Sequence, residues 1–200
     1  MVEDLPPDSW PVAGTEEHYR NWLVSVRTDN VVMPDSQQAE RTVITHIGAV
    51  GILALDEHDR VLMIRQYRHP VARELWEIPA GLRDVAGEAL VDTARRELLE
   101  ETGHVAREWR VLVDSYSSPG IITERMRIFL ARGLETADSR YQRRGEEKFL
   151  RHAWVPLAEA VAAALAGKLH NGAAIQGILA GHIASSSGFS GLRGPDEPES

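Results

Sequence analysis

The stretch "GLRDVAGEALVDTARRELLEETG", residues 81–103, concentrates the residue types most able to do chemistry in this chain. Glu97, Glu100 and Glu101 stand close together, just after Arg95 and Arg96. On a helix advancing 100° per residue, Leu90, Ala94, Leu98 and Val91 form an apolar stripe between about 20° and 120° from Glu97. Glu101 falls at about 40°, inside that stripe, while Glu97 sits on its edge and Glu100 lies at about −60°. A solvated face would account for Asp92 and Arg96, spaced four apart in the favourable order for an ion pair. It does not account for Glu101, because a carboxylate aimed at the apolar side is costly unless a cation compensates it. Three carboxylates in a narrow arc also repel one another. A hard divalent cation, Mg²⁺ or Mn²⁺, would answer both objections, and so would Arg95 or Arg96. The pattern alone leaves both answers open.

The elements that must position these residues are legible in outline. The segments "TVITHIGAVGILALD" and "RVLMIRQYR" are β-branched and separated by a short polar break, which predicts paired strands. "ELWEIPAG" predicts a further strand ended by Pro79 and Gly81, and a helix follows over residues 88–102. "EWRVLVDSYSSPG", "RMRIFLARGL" and "KFLRHAWVPL" predict three more strands. Residues 157–169 and 173–183 are rich in alanine and leucine and predict two helices. Upstream, residues 1–14 read as an extended or disordered lead-in, and residues 19–33 as a small hairpin. Residues 185–200, "SSSGFSGLRGPDEPES", have little to bury and are expected to be disordered. The expected organisation is therefore an N-terminal lead-in and hairpin over residues 1–43, a main domain over 44–184 and a tail over 185–200. Short-linked strands with interspersed helices favour an α/β domain whose mixed sheet is covered by helices.

Composition narrows the function classes. The 200 residues suit one domain with an appendage. With 22 basic and 30 acidic residues the formal net charge is −8, which disfavours non-specific binding to nucleic acid or anionic membranes. The chain has no cysteine, which excludes disulfides, thiolate nucleophiles and cysteine metal sites and suits a reducing cytoplasm. The acidic, proline-rich start is not a signal peptide, and the apolar run at residues 47–55 is too short to span a bilayer. His46, His69 and His104 lack paired metal-ligand spacing, so structural or surface roles are expected for them.

The residues from Glu88 to Gly103 resemble the Nudix box: Glu88, seven residues, then Arg96-Glu97-Leu98-Leu99-Glu100-Glu101-Thr102-Gly103. Two positions depart from that pattern. Six residues separate Gly81 from Glu88 where the pattern has five, and His104 stands where an aliphatic residue is usual. The first implies a bulge in the loop leading into the helix; for the second, Val105 is expected to supply the packing. The flanks "RQYRHPVARELWEIPAGL" and "SSPGIITERMRIFLARGL" resemble the ADP-ribose pyrophosphatase subfamily, whose marker proline corresponds to Pro119, fifteen residues after His104. The nearest similarity is to bacterial, possibly actinobacterial, members and spans about residues 26–183.

That resemblance implies a Nudix α/β/α sandwich with a mixed central sheet, preceded by a small N-terminal β extension. It implies metal-dependent hydrolysis of ADP-ribose to AMP and ribose 5-phosphate. Carried over by position, Glu97, Glu101, Glu100 and the Ala80 carbonyl would hold Mg²⁺ or Mn²⁺. Arg96 would orient the glutamates, with Glu100 also contributing to catalysis. Gly81, Glu88 and Gly103 would brace the loop and helix, and Glu124 would act as general base. Arg68 and, less directly, Arg41 would bind substrate phosphate, against the plainer reading of surface ion pairs. Trp22 and Trp76 are candidates to stack adenine, although tryptophans also simply pack cores and interfaces. The resemblance further implies a cytoplasmic homodimer with exchanged N-terminal strands. Two other readings stay open: hydrolysis of another nucleotide sugar, such as ADP-glucose or GDP-mannose, and a non-catalytic module that senses ADP-ribose. The second normally loses box glutamates, and all of them are present here. No DNA-binding segment is evident.

Overall fold

The structure is a computed structural model that describes residue 4, residues 9–137 and residues 150–199. The contacts divide the chain into two compact units, one of Met1–Ile47 with Ser118–Glu124, the other of Gly48–Ser117 with Arg125–Ser200.

The first unit is an antiparallel sheet of β1 (Val12–Arg20), β2 (Val24–Val32) and β3 (Gln38–His46), in the order β1-β2-β3. The hairpin foreseen at residues 19–33 is thus the centre of a larger ribbon. Its first strand begins at Val12, inside the segment expected to be an unstructured lead-in; the earliest residues of that segment, other than residue 4, lie outside the described residues. Thr15 and Arg27 both donate to Asp29, which stands buried in the middle strand. Every residue of β1 is exposed. Residues 121–123 lie along the end of β3, where the Ile44 amide donates to the Ile121 carbonyl and the Thr123 amide to the Ile44 carbonyl.

The second unit is built on alternation. It contains β4 (Ala49–Ala54), β5 (Arg60–Arg68), β6 (Arg73–Glu77), β7 (Ala80–Leu82), α1 (Leu90–Thr102), β8 (His104–Tyr116), β9 (Arg125–Thr136), β10 (Arg151–Pro156), α2 (Leu157–Leu165) and α3 (Gly172–Ser185). The strand foreseen at residues 148–157 is β10, and its first two positions fall outside the described residues. One sheet runs β7-β4-β9-β8, parallel only between β4 and β9; the other runs β10-β5-β6. Successive strand residues face opposite sides. Val50, Ile52, Phe129 and Ala131 therefore pack against Val91, Ala94 and Leu98 of α1. Leu53, Ile128 and Leu130 join Leu157, Ala160, Ala174 and Ile178 of α2 and α3 in the opposite core. A mixed sheet and an antiparallel one, with helices packed on both sides, match the α/β/α arrangement expected.

The tail departs from expectation. Residues 185–199 are ordered rather than disordered, with Val111 donating its amide to the Arg193 carbonyl at 3.1 Å. Their composition offers few apolar groups, and what holds them is a set of long-range polar contacts that local sequence does not display. Val105, expected to supply packing in place of His104, is exposed; the His104 ring itself packs edge-on against Trp154, with centroids 5.6 Å apart.

Candidate active site

Helix α1 starts after Ala89, which has no capping side chain. Glu88, just before it, ties the helix to the loop through side chains, accepting from Thr93 Oγ1 at 2.9 Å and from Arg96 Nη2 at 3.1 Å. Gly103 closes the helix in the left-handed region, φ 73°, where its amide donates to the Leu99 carbonyl. The additional residue before Glu88 is absorbed in a turn, with the Glu88 amide donating to the Val85 carbonyl.

Arg96 is the hub of the polar face. Its guanidinium donates to Glu97 at 2.6 Å, Glu88 at 3.1 Å, Asp84 at 3.3 Å and Glu100 at 3.4 Å. The i,i+4 pair foreseen with Asp92 does not form; Arg95 takes Asp92 at 2.6 Å, leaving Arg96 to turn toward the loop. Hydrogen bonding to Glu88 holds the Arg96 guanidinium even more firmly protonated than usual.

Glu101 is buried, 8% exposed, within the apolar stripe as the helical angles require. Burial raises its carboxyl to about 8, against a hydrogen bond from the Ala80 amide at 2.9 Å that favours the ionised form. Glu97 is raised to about 7, again chiefly by burial, with the Arg96 charge opposing. Gly81 explains how Glu97 fits: a Cβ at that position would overlap the Glu97 carboxyl group. Ladder alternation then fixes the direction of the Ala80 carbonyl. The Ile52 amide donates to the Pro79 carbonyl and the Arg83 amide to the Gly48 carbonyl, so Ala80, opposite Gly51, belongs to a non-hydrogen-bonded pair. Its amide and carbonyl both face away from β4, on the outer edge of the sheet, and the amide already meets Glu101.

This donor set fits a hard divalent cation: one buried and one partly buried carboxylate whose charge is only partly compensated, beside an outward backbone carbonyl. Among the described residues no three acidic or histidine side chains stand in metal-holding geometry, so the fit rests on Glu97, Glu101 and the Ala80 carbonyl. Glu100, half-buried, is turned toward Arg96.

Glu77 escaped the sequence reading. It is only 2% exposed and accepts both arms of the Arg68 fork, at 2.8 and 2.7 Å. Its charge opposes ionisation of Glu101, while that of Arg68 favours it. The signal in the chain was faint: one acid between Trp76 and Ile78, with its arginine nine residues away. Trp76 packs against the core, with the Arg65 guanidinium 5.5 Å above its ring.

The remaining candidates belong to the first unit. Glu124 pairs with His46, Nδ1 to Oε1 at 3.4 Å. Arg41 lies on β3 opposite Asp29, donating to its neighbour's Glu40 carbonyl. Trp22, in the turn between β1 and β2, is 70% exposed.

Comparison with known proteins bears on the family of the chain. The chain is 44% identical over 167 residues to an ADP-ribose pyrophosphatase of Mycobacterium tuberculosis, covering 84% of this chain and 80% of that protein. It is 32% identical over 146 residues to an ADP-ribose pyrophosphatase of Bacillus subtilis, covering 73% and 78%. A solved structure described as an ADP compounds hydrolase superposes with a TM-score of 0.76 at 18% identity, covering 92% of this chain and 99% of that one, which shows a shared fold. The NUDIX domain model matches residues 45–175, and with the box glutamates placed on one helix beside Ala80, the chain belongs to the Nudix hydrolase family.

Proposed function

We propose that this enzyme hydrolyses the pyrophosphate bond of ADP-ribose, giving AMP and ribose 5-phosphate, with Mg²⁺ or Mn²⁺. The observation that carries the reading is the buried Glu101 and the partly buried Glu97 beside the edge carbonyl of Ala80. The substrate follows from the likeness to two ADP-ribose pyrophosphatases over most of the chain.

The metal, when bound, would neutralise phosphate charge and lower the pKa of a coordinated water. The chain's own residues have distinct tasks. Glu97 and Glu101 would hold the cation, with Glu100 a further contributor. Arg96 keeps the glutamates in place, braced by Glu88. Arg68, whose fork both Glu77 oxygens hold in place, brings its positive charge to the substrate phosphate, and Arg41 is a second phosphate contact. Glu124 takes a proton from the attacking water, and His46 beside it keeps the carboxylate oriented. Trp22 offers an open ring for adenine, whereas one face of Trp76 is occupied by Arg65.

Among the described residues no helix is long and apolar enough to cross a membrane. With a cysteine-free chain, this supports a cytoplasmic enzyme. The exposed strand β1, which carries exposed Val12 and Tyr19 and is flanked by exposed Trp10 and Trp22, supports a homodimer that exchanges N-terminal strands.

A product assay with Mg²⁺ across ADP-ribose, ADP-glucose, GDP-mannose and NADH tests the substrate. ADP-ribose is expected to turn over fastest, releasing AMP. Clear cleavage of another substrate without ADP-ribose turnover would sink the assignment.

A further inference from the structure

The C-terminal residues 193–199 form a strap whose contacts converge on the loop feeding the metal helix. The strap first joins the outer edge of β8, where the Val111 amide meets the Arg193 carbonyl. Arg193 then donates to Asp114 at 2.8 Å. Beneath it lies Arg127, only 2% exposed. Arg127 spends two hydrogen bonds on Asp114, at 2.7 and 2.9 Å, and two on strap carbonyls, Glu197 at 2.6 Å and Pro198 at 3.1 Å. A buried guanidinium without those carbonyls would keep unsatisfied donors, so strap and arginine require each other. Glu199 finally reaches Arg83, Nη1 to Oε2 at 3.0 Å.

Arg83 is the significant end point. It lies two residues beyond Gly81, so its side chain leaves β7 on the face where Glu97 fills the space above that glycine. It also directly precedes Asp84, which contacts Arg96, which in turn grips Glu97. Pro195, Asp196, Glu197, Pro198 and Glu199 line a cleft together with Ala89, Leu90 and Val91, the start of α1. Both ends of the loop at residues 83–89 are therefore bounded by the strap. This is the loop that carries one residue more than the family pattern.

We infer that the C-terminal strap is a positioning element of the metal site, in which Glu199 fixes Arg83 and so sets the loop that orients Arg96 and Glu97. In this role the strap acts through Arg83, removing slack that the longer loop would otherwise have. The inference rests on the metal-site reading above, and its test has a readout independent of turnover.

The test uses the full-length chain and three variants: Arg83→Glu, Glu199→Arg and the two combined. Mn²⁺ affinity of the metal-free proteins is read from the EPR signal of free Mn²⁺, and kcat and KM are measured with ADP-ribose. Circular dichroism confirms that each variant is folded. Each single substitution is expected to weaken Mn²⁺ binding roughly ten-fold, the scale of losing a partner that orients a ligand. The charge-swapped pair is expected to recover most of that loss. Singles that bind Mn²⁺ like the wild type, or a double variant no better than the singles, would overturn the inference. A fall in KM on losing Glu199 would also overturn it, marking the carboxylate as an internal competitor for an anionic substrate. A chain ending at residue 192 should match Glu199→Arg in metal affinity and melt earlier; should it fail to fold, the point variants still decide. Wild-type protein that binds no Mn²⁺ would sink the metal reading itself. Wild-type protein that binds Mn²⁺ but leaves ADP-ribose intact would sink only the substrate.

Discussion

At the scale of single residues, the site depends on one missing side chain. A Cβ at Gly81 would collide with the end of the Glu97 side chain, which is flexible and can swing aside. Gly81→Ala is therefore expected to fold and melt within a few degrees of the wild type while losing metal affinity by roughly ten-fold or more. Titration with Mn²⁺ alongside a melting curve separates the two effects; unchanged affinity would remove Glu97 from the ligand set. Glu124→Gln should behave oppositely, keeping metal and substrate binding but losing about 100-fold or more in kcat. Near-normal kcat would place the base elsewhere in the chain. The glutamates of α1 were legible in the sequence because helical periodicity is local: a count of 100° per residue already set Glu101 among Leu98, Ala94 and Val91. Glu77 and the role of Gly81 were not, because each depends on a partner brought from another element, Arg68 in one case and Glu97 in the other.

At the scale of elements, the contrast is between parts held by pattern and parts held by paired charges. Strands β4 and β9 and helix α1 were foreseen because alternation and periodicity select their buried faces. The strap was not, since nothing in "GPDEPES" announces that its backbone carbonyls will meet Arg127, far back in the chain. Asp114 ties these parts together, accepting from both Arg127 and Arg193. Partial burial alone would raise its carboxyl, but the two arginine hydrogen bonds outweigh burial and hold it below the ordinary value. Its contribution to stability is thus present above the unfolded-state value and lost as pH falls. Asp114→Ala at neutral pH leaves the Arg127 charge buried without its partner, a loss of about 3 kcal/mol. For a chain of this size that lowers Tm by about 6 to 12 °C. A Tm within two degrees of the wild type would show that strap carbonyls alone satisfy Arg127.

At the scale of the whole molecule, assembly and pH response are the properties to test. An edge strand with all its residues exposed invites a partner strand, so light scattering should give a dimer for the full chain and a monomer once residues 1–20 are removed. A monomeric full chain would leave β1 without that role. The pH response follows from the buried Glu101 and the partly buried Glu97. In the unfolded chain Glu97 and Glu101 ionise near 4.5, whereas in the folded, metal-free protein burial raises them to about 7 and about 8. Between those values the folded state binds more protons than the unfolded one, so these groups make stability fall as pH rises. The advantage of the protonated folded state is complete below about 4.5 and is lost as pH rises through 7 and 8. A cation held by the same carboxylates binds their ionised forms, so it must displace protons from both at pH 6, whereas at pH 8 Glu97 is mostly ionised already and Glu101 in part. The increase in Tm caused by saturating Mg²⁺ or Mn²⁺ should therefore be larger at pH 8 than at pH 6. Metal-free protein should show the opposite trend from these two groups, and Glu97→Gln with Glu101→Gln should flatten both. Equal metal-induced shifts at the two pH values would mean that the cation does not bind through this pair.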